Sequence, residues 1–270
     1  MAISHWQEYE FYLAMHLYYR TPFGRQHQSN PEIIELANVI GRTPGSVSMR
    51  LNNFSAYDPK EKLRNVKGLE GGGKACKSFW DKFHSNLEEE SIKAEALWEQ
   101  FVDHAEEGAT VQPNAEVVEK TFKGLTESNQ YVKVRKAQNF FRRAILSLYG
   151  NKCCITGLPM ESLLIASHIR PWAMHHDGRV DPANGLCLSA IHDAAFDRGL
   201  ITFDDKYLLV LSKQIVEHLS VEVLNDCFKK YEGKPISLPE KNLPDQSALK
   251  WHRNNLFEKK QSSRADISAC

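Results

Sequence analysis

The sequence predicts an α+β protein, with an all-α helical N-terminal domain followed by a C-terminal domain of short strands and helices. Three observations carry that prediction. Aromatic and aliphatic residues recur at helical spacing behind helix-start signals in the N-terminal part. After Gly150 the pattern changes to short apolar runs separated by turn residues. The length of 270 residues suits two modest domains, because single cores usually stop growing at roughly 100–200 residues.

The first helix is expected from Ser4, where Ser4 and Gln7 fit a capping box ahead of Tyr9, Phe11, Tyr12, Met15 and Tyr19. Asn30 can cap a second helix, with Pro31 at its first position and Gly41 just past its end. Thr43 and Pro44 repeat the start signal and open a third helix to Phe54. Two short helices joined by a tight Gly-containing turn form a helix-turn-helix outline. The third helix is expected to expose Ser46, Ser48, Arg50, Asn52 and Asn53. Arg50 and Asn52 carry groups able to bond base edges, while the alternative is a hairpin used for packing or protein contact.

Phe79, Trp80 and Phe83 mark another helix, and Leu97, Trp98, Phe101 and Val102 mark one within the acidic stretch Glu88–Glu107. Residues 108–130 are polar with scattered Gly, Pro and Asn and read as a linker. A basic helix follows from Tyr131 and stops at Gly150-Asn151. Residues 163–166 read as a strand, and 200–203 with 207–211 as a hairpin around Asp204-Asp205-Lys206. Helix returns near 219–231 and 245–257. The domains are therefore placed at 1–107 and 131–260, with a polar tail at 261–270.

A hydrophobic content of 42% excludes a disordered chain. No run of about 18 apolar residues suggests a membrane span, and the N-terminus has no secretory pattern. Six cysteines without a regular framework suit a reducing compartment, so a cytoplasmic protein is expected. The formal net charge is zero, but the charge is segregated. Basic residues dominate 42–77 and 133–143, the latter including Arg142 and Arg143, whereas 88–107 is acidic. That distribution permits DNA binding without requiring it, since clustered charge is more often a solvated face.

The chemistry concentrates in residues 167–197, SHIRPWAMHHDGRVDPANGLCLSAIHDAAFD. His168 ends a strand. Asn184-Gly185 is a turn signal. Asp193 and Asp197 lie four apart on a short helix starting near Ser189, which puts both carboxylates on one face. A hard divalent cation is the simplest occupant between them, because it prefers oxygen ligands and often takes one or two carboxylates plus water and phosphate. The alternative is a capping Asp and a second, solvent-facing one.

The order and spacing together resemble the HNH nuclease family, a ββα-metal fold. His168 precedes Asn184 by sixteen residues, Asp193 follows nine later and Asp197 four after that. The Ser-His-Ile-x-Pro-Trp block, the Asn-Gly-Leu turn and the helix ending in Phe-Asp carry the resemblance, which covers roughly residues 140–212. It implies a metal-dependent DNA endonuclease with Mg²⁺ or Mn²⁺ as cofactor, in a prokaryotic setting such as restriction or defence. His168 would then be the general base and Asn184 the residue that holds the hairpin and orients it. Asp193 and Asp197 would bind the metal. Ser167 stands where many members have Asp or His, so it would be a weak ligand, and His192 is a rival to Asp193. Arg170 and Arg179 lie near the base and could hold phosphates. No structural zinc is expected, because Cys153-Cys154 and Cys187 lack the paired spacing that such sites use.

The N-terminal segment from Asn30 to Pro59 also looks like a small helical domain often placed ahead of HNH modules, without fixing its ligand. Two other readings stand beside the DNA endonuclease. One is a non-catalytic DNA-binding regulator, and the other is a nuclease effector activated by a partner or ligand. A homodimer, or two successive events, would be needed for a double-strand break.

Overall fold

The computed structural model describes residues 5–103, 113–175 and 178–258. The chain divides into two compact units. The first runs through Leu148 and takes in Val180–Pro182 and Glu240–Asn242; the remainder from Tyr149 onward forms the second.

The first unit is helical: α1 (Glu8–Arg20), α2 (Pro31–Val39), α3 (Pro44–Tyr57), α4 (Pro59–Leu63), α5 (Gly73–Ser85), α6 (Leu87–Trp98), α7 (Ala115–Glu127) and α8 (Gln130–Leu148). Capping chemistry sets the starts. Asn30 accepts from the Glu32 amide and Thr43 from the Ser46 amide, each ahead of a proline that needs no partner for its missing N–H. Gln7 caps α1 in a capping box with Glu10; the proposed start at Ser4 lies outside the described residues. Tyr12, Leu13, Met15, Tyr18, Phe54, Phe83 and Phe140 are among the side chains that make this unit's core.

Two sequence expectations differ from the structure here. Within the segment read as a linker, Ala115–Glu127 is a helix capped by Asn114. Val117, Val118, Phe122 and Leu125 do recur at helical spacing, although only Leu125 is buried; the scattered Gly, Pro and Asn around them give the linker signal. The basic helix α8, expected to open the second domain, packs on α6 and α1 of the first unit.

The reason is charge pairing. Arg143 donates to Glu95 at 3.0 Å and to Asp103 at 2.5 Å, Asn139 donates to Glu99 at 3.1 Å, and Lys136 also pairs with Glu99. Glu95 is fully buried and also meets His16 at 2.7 Å. The acidic and basic stretches that stand apart in sequence therefore neutralise each other across α6 and α8. Elsewhere Arg42 pairs with Glu10, Arg64 with Glu61 and Lys77 with Asp81.

The polar face expected of α3 is also turned inward. Asn52 Nδ2 donates to the carbonyls of Gln26 and Ser48 at 3.1 and 2.8 Å. Ser48 donates to Gln26 O at 2.6 Å, and the buried Asn53 to Leu69 O at 2.7 Å. The Arg50 guanidinium lies 4.6 Å from the Trp6 ring and 4.7 Å from Phe11, and donates to Gly72 O. Arg50 and Asn52 hold loops against α3 rather than pointing outward as base readers.

The second unit contains β1 (Leu164–His168), β2 (Gly185–Ser189), α9 (Ala190–Asp197), β3 (Ile201–Phe203), β4 (Leu209–Leu211), α10 (Lys213–Glu217), α11 (Glu222–Cys227) and α12 (Gln246–Asn255). β1 and β2 pair antiparallel with Leu164 opposite Ser189 and His168 opposite Gly185. β3 and β4 form a separate hairpin. Ile169, Leu186, Leu188, Phe196, Phe203 and Leu249 share one apolar core. Gly199 closes α9 with φ +66°, and a Cβ there would meet Leu256 O at 2.0 Å. Only glycine allows the end of α12 to approach so closely. Among the described residues, no helix is long and apolar enough to cross a membrane.

Candidate active site

The site is built on the hairpin β1–β2 and the helix α9 that follows it directly. His192, Ala195 and Phe196 recur at helical spacing and bury one face of α9. That leaves Asp193 and Asp197 together on another face. Burial raises the pKa of Asp193, against the opposing influence of Ser167 and Arg198. Burial, and then the neighbouring Asp193 charge, push Asp197 up to about 6. The two carboxylates therefore repel each other across one helical turn.

Ser167, the penultimate residue of β1, is 2% exposed. Its hydroxyl makes no hydrogen bond of ordinary length among the described residues, yet it stands close enough to Asp193 to favour the ionised carboxylate. His168 is the next residue. Its Nε2–H donates to the carbonyl of Arg179 at 2.9 Å, which places the basic lone pair of the neutral ring on Nδ1. The imidazole meets the edge of Trp172 at 5.4 Å. Burial lowers its pKa, so the ring is neutral near pH 7.

Asn184 sits in a short 3₁₀ turn, Pro182–Asn184, just before β2. Its Oδ1 accepts from the Arg170 amide at 2.9 Å and its Nδ2 donates to the Arg170 carbonyl at 3.2 Å. The Ile169 amide also donates to Asn184 O at 2.9 Å. The strand end that carries His168 is thus pinned two residues later by one amide side chain.

Residues 153–204, which span this hairpin, α9 and β3, match the HNH endonuclease family. The second unit carries an HNH endonuclease domain. A modification-dependent TagI restriction endonuclease is a structural neighbour of the chain, at a TM-score of 0.32 and 19% identity. The likeness covers 46% of this chain and 40% of that one. No curated protein matches the chain.

Within the HNH domain, the rivalry between His192 and Asp193 resolves on hydrogen bonding. His192 is 1% exposed; Nε2–H donates to Cys227 O at 2.8 Å and Nδ1 accepts from the Ser189 hydroxyl at 2.7 Å. Both ring nitrogens are occupied, so the expectation of His192 as an alternative metal ligand is replaced by a core role. Asp193, about 100° round the helix, keeps its carboxylate beside Ser167.

The arginines divide as well. The Arg170 guanidinium donates to Ser247 at 3.1 Å, anchoring it to the start of α12. Arg179 Nε donates to Trp172 O at 2.9 Å, and the guanidinium lies 5.1 Å from the Trp172 ring. Arg142 and Arg143 belong to α8 in the first unit, where Arg143 is held by Glu95 and Asp103. Sequence reasoning missed the Arg179 carbonyl, Trp172 and Ser247. A backbone acceptor leaves no residue-type signal, so only the geometry reveals it.

The donor set suits a hard divalent cation: two carboxylates that need a positive neighbour, with the buried Ser167 hydroxyl beside Asp193. Among the described residues no group of three or more His, Cys, Asp or Glu side chains is placed to hold a metal. An ion here would be taken by Asp193, Asp197 and Ser167, with water and substrate oxygens completing its shell. Cys153, Cys154 and Cys187 are buried.

Proposed function

We propose that this chain is a divalent-cation-dependent endonuclease that hydrolyses DNA phosphodiesters through its HNH domain. The observation that carries the reading is the oxygen cluster of Ser167, Asp193 and Asp197, adjoining in sequence a histidine held neutral by burial and oriented by a backbone carbonyl. His168 takes the proton of the attacking water on Nδ1, a step worth roughly 10²–10⁴ in rate. The Arg179 carbonyl fixes the tautomer, and the ring edge against Trp172 limits its rotation. Asn184 acts through the backbone, holding the turn after His168 so that the imidazole keeps its direction.

Asp193 and Asp197, with Ser167 as a weaker partner, hold Mg²⁺ or Mn²⁺. The ion supplies charge neutralisation at the phosphoryl group and at the leaving oxygen. Arg170 is the side chain nearest the base in sequence that can meet a substrate phosphate. The family supports DNA as substrate and a role in restriction or defence, with cleavage of both strands calling for a homodimer or two events.

Supercoiled plasmid incubated with Mg²⁺ or Mn²⁺ tests the reading. Nicked or linear product that is absent in EDTA and in Asp193→Asn is expected. Product that forms equally in EDTA, or equally with the variant, contradicts it.

A further inference from the structure

We propose that the first unit contains a binding pocket for a single nucleobase, recognised by Lys241 and Asn242. A cavity of about 240 Å³ lies within this unit, walled by the rings of Tyr18, Tyr19, Trp80 and His84. That is below the roughly 300–1,000 Å³ of drug-sized sites, so it admits one ring system rather than a strand.

The polar groups of the cavity are unevenly used. Asp58 accepts from the Tyr18 hydroxyl at 2.7 Å and from the Lys60 amide at 2.8 Å. Asp181 accepts from Lys60 Nζ at 2.7 and 3.0 Å. The acceptors are thus engaged. The donors are not. Asn242 is 6% exposed, and its Nδ2 has no partner among the described residues. Lys241 is 1% exposed, and its Nζ donates to Tyr18 O at 3.0 Å while lying over the Tyr18 ring. Burial lowers the Lys241 pKa to about 7, and in either protonation state one hydrogen bond leaves part of its donor capacity for a ligand.

An unpaired buried donor is costly, so the occupant should bring acceptors. The aromatic walls favour a flat ring. A bare phosphate uses none of those walls and faces the carboxylates of Asp58 and Asp181. An aliphatic ligand leaves Asn242 unpaired. A nucleobase offers ring nitrogens and carbonyl oxygens on a stackable plane, and it is the ligand of this kind that a chain with a nuclease domain meets. It can come from DNA, as a base turned out of the duplex, or from a free nucleotide.

Asn242→Asp tests the proposal with least disturbance. Asn242 has φ +54°, and Asp tolerates that left-handed backbone while replacing the N–H donors by an acceptor. Lys241→Met is the second variant, with thermal melts showing which variants fold. Binding of the full chain is measured in EDTA by tryptophan fluorescence and by anisotropy. The probes are free nucleotides of each base, and short duplexes differing by one unpaired base.

The expected result is binding of one base type that weakens on the order of tenfold in Asn242→Asp. Preference for the duplex with the unpaired base assigns the source to DNA; preference for the free nucleotide assigns it to a soluble ligand. Wild-type affinity for every probe in Asn242→Asp, or no binding by the wild type, overturns the proposal. Cleavage plays no part in this readout, so its failure and that of the nuclease reading are distinguishable.

Discussion

Asn184 clamps Arg170 from both sides, accepting from its amide at 2.9 Å and donating to its carbonyl at 3.2 Å. These two bonds fix the turn immediately after His168. Asn184→Ala removes both and should destabilise the second unit by about 1–3 kcal/mol. Cleavage should fall while DNA affinity in EDTA stays constant, and Asn184→Asp, which keeps the acceptor alone, should lie between. Urea melts and plasmid cleavage measured side by side check this; an unimpaired cleavage rate in Asn184→Ala would remove the residue from the account.

Ser167 gives a prediction of opposite sign for two conditions. Ser167→Asp puts a third carboxylate beside Asp193 and Asp197, so the variant should melt below wild type in EDTA. Added Mn²⁺ should raise its melting temperature more than it raises that of wild type, because a ligand that binds only the folded state stabilises it. Equal shifts in the two proteins would separate Ser167 from the cation.

Buried His252 sets an acid limit on the second unit. Its ring stacks on Phe196 at 3.8 Å, with Nε2–H donating to Phe196 O and Nδ1 facing Thr202. Burial lowers its pKa from 6.5 to about 4. The unfolded chain takes up a proton that the folded chain refuses, so this stability is complete above pH 6.5 and is lost as pH falls toward 4. The loss should reach about 3 kcal/mol. His252→Phe should flatten the slope in urea midpoints taken across that range; an unchanged slope would assign it elsewhere.

Glu95 should be worth more to the fold than any exposed acid of α6. It is fully buried between His16 and Arg143, so Glu95→Ala leaves the buried His16 Nε2 without its partner and Arg143 with Asp103 alone, and should destabilise by about 1–3 kcal/mol. Arg143→Ala should likewise lower the melting temperature. If Arg143 served DNA instead, its variant would melt as wild type and bind DNA more weakly.

Much of this was legible in the sequence because some residue types have one cheap use. Asn30-Pro31 and Thr43-Pro44 start helices, and Gly150-Asn151, both at positive φ, stop one. The spacing of Asp193 and Asp197 placed them on one helical face. Helix α7 escaped although Val117, Val118, Phe122 and Leu125 keep helical spacing, because the Gly, Pro and Asn scattered through 108–130 outweighed that short stripe. The side chains of α3 escaped for another reason: Arg50 and Asn52 look like surface groups by type, yet they satisfy carbonyls and aromatic faces of their own unit. Composition gives the chemistry a residue can do, whereas the partner that uses it is fixed only by the fold. His168 shows both sides. Its place at a strand end could be read, but the Arg179 carbonyl that selects its tautomer could not.

The most direct test of the account is the cleavage rate of His168→Ala on plasmid DNA in Mg²⁺ or Mn²⁺, with melting temperature and DNA affinity in EDTA measured on the same samples. If His168 is the base, the rate falls by roughly 10²–10⁴ with fold and affinity retained. A variant that cuts at the wild-type rate would show that His168 is not the base.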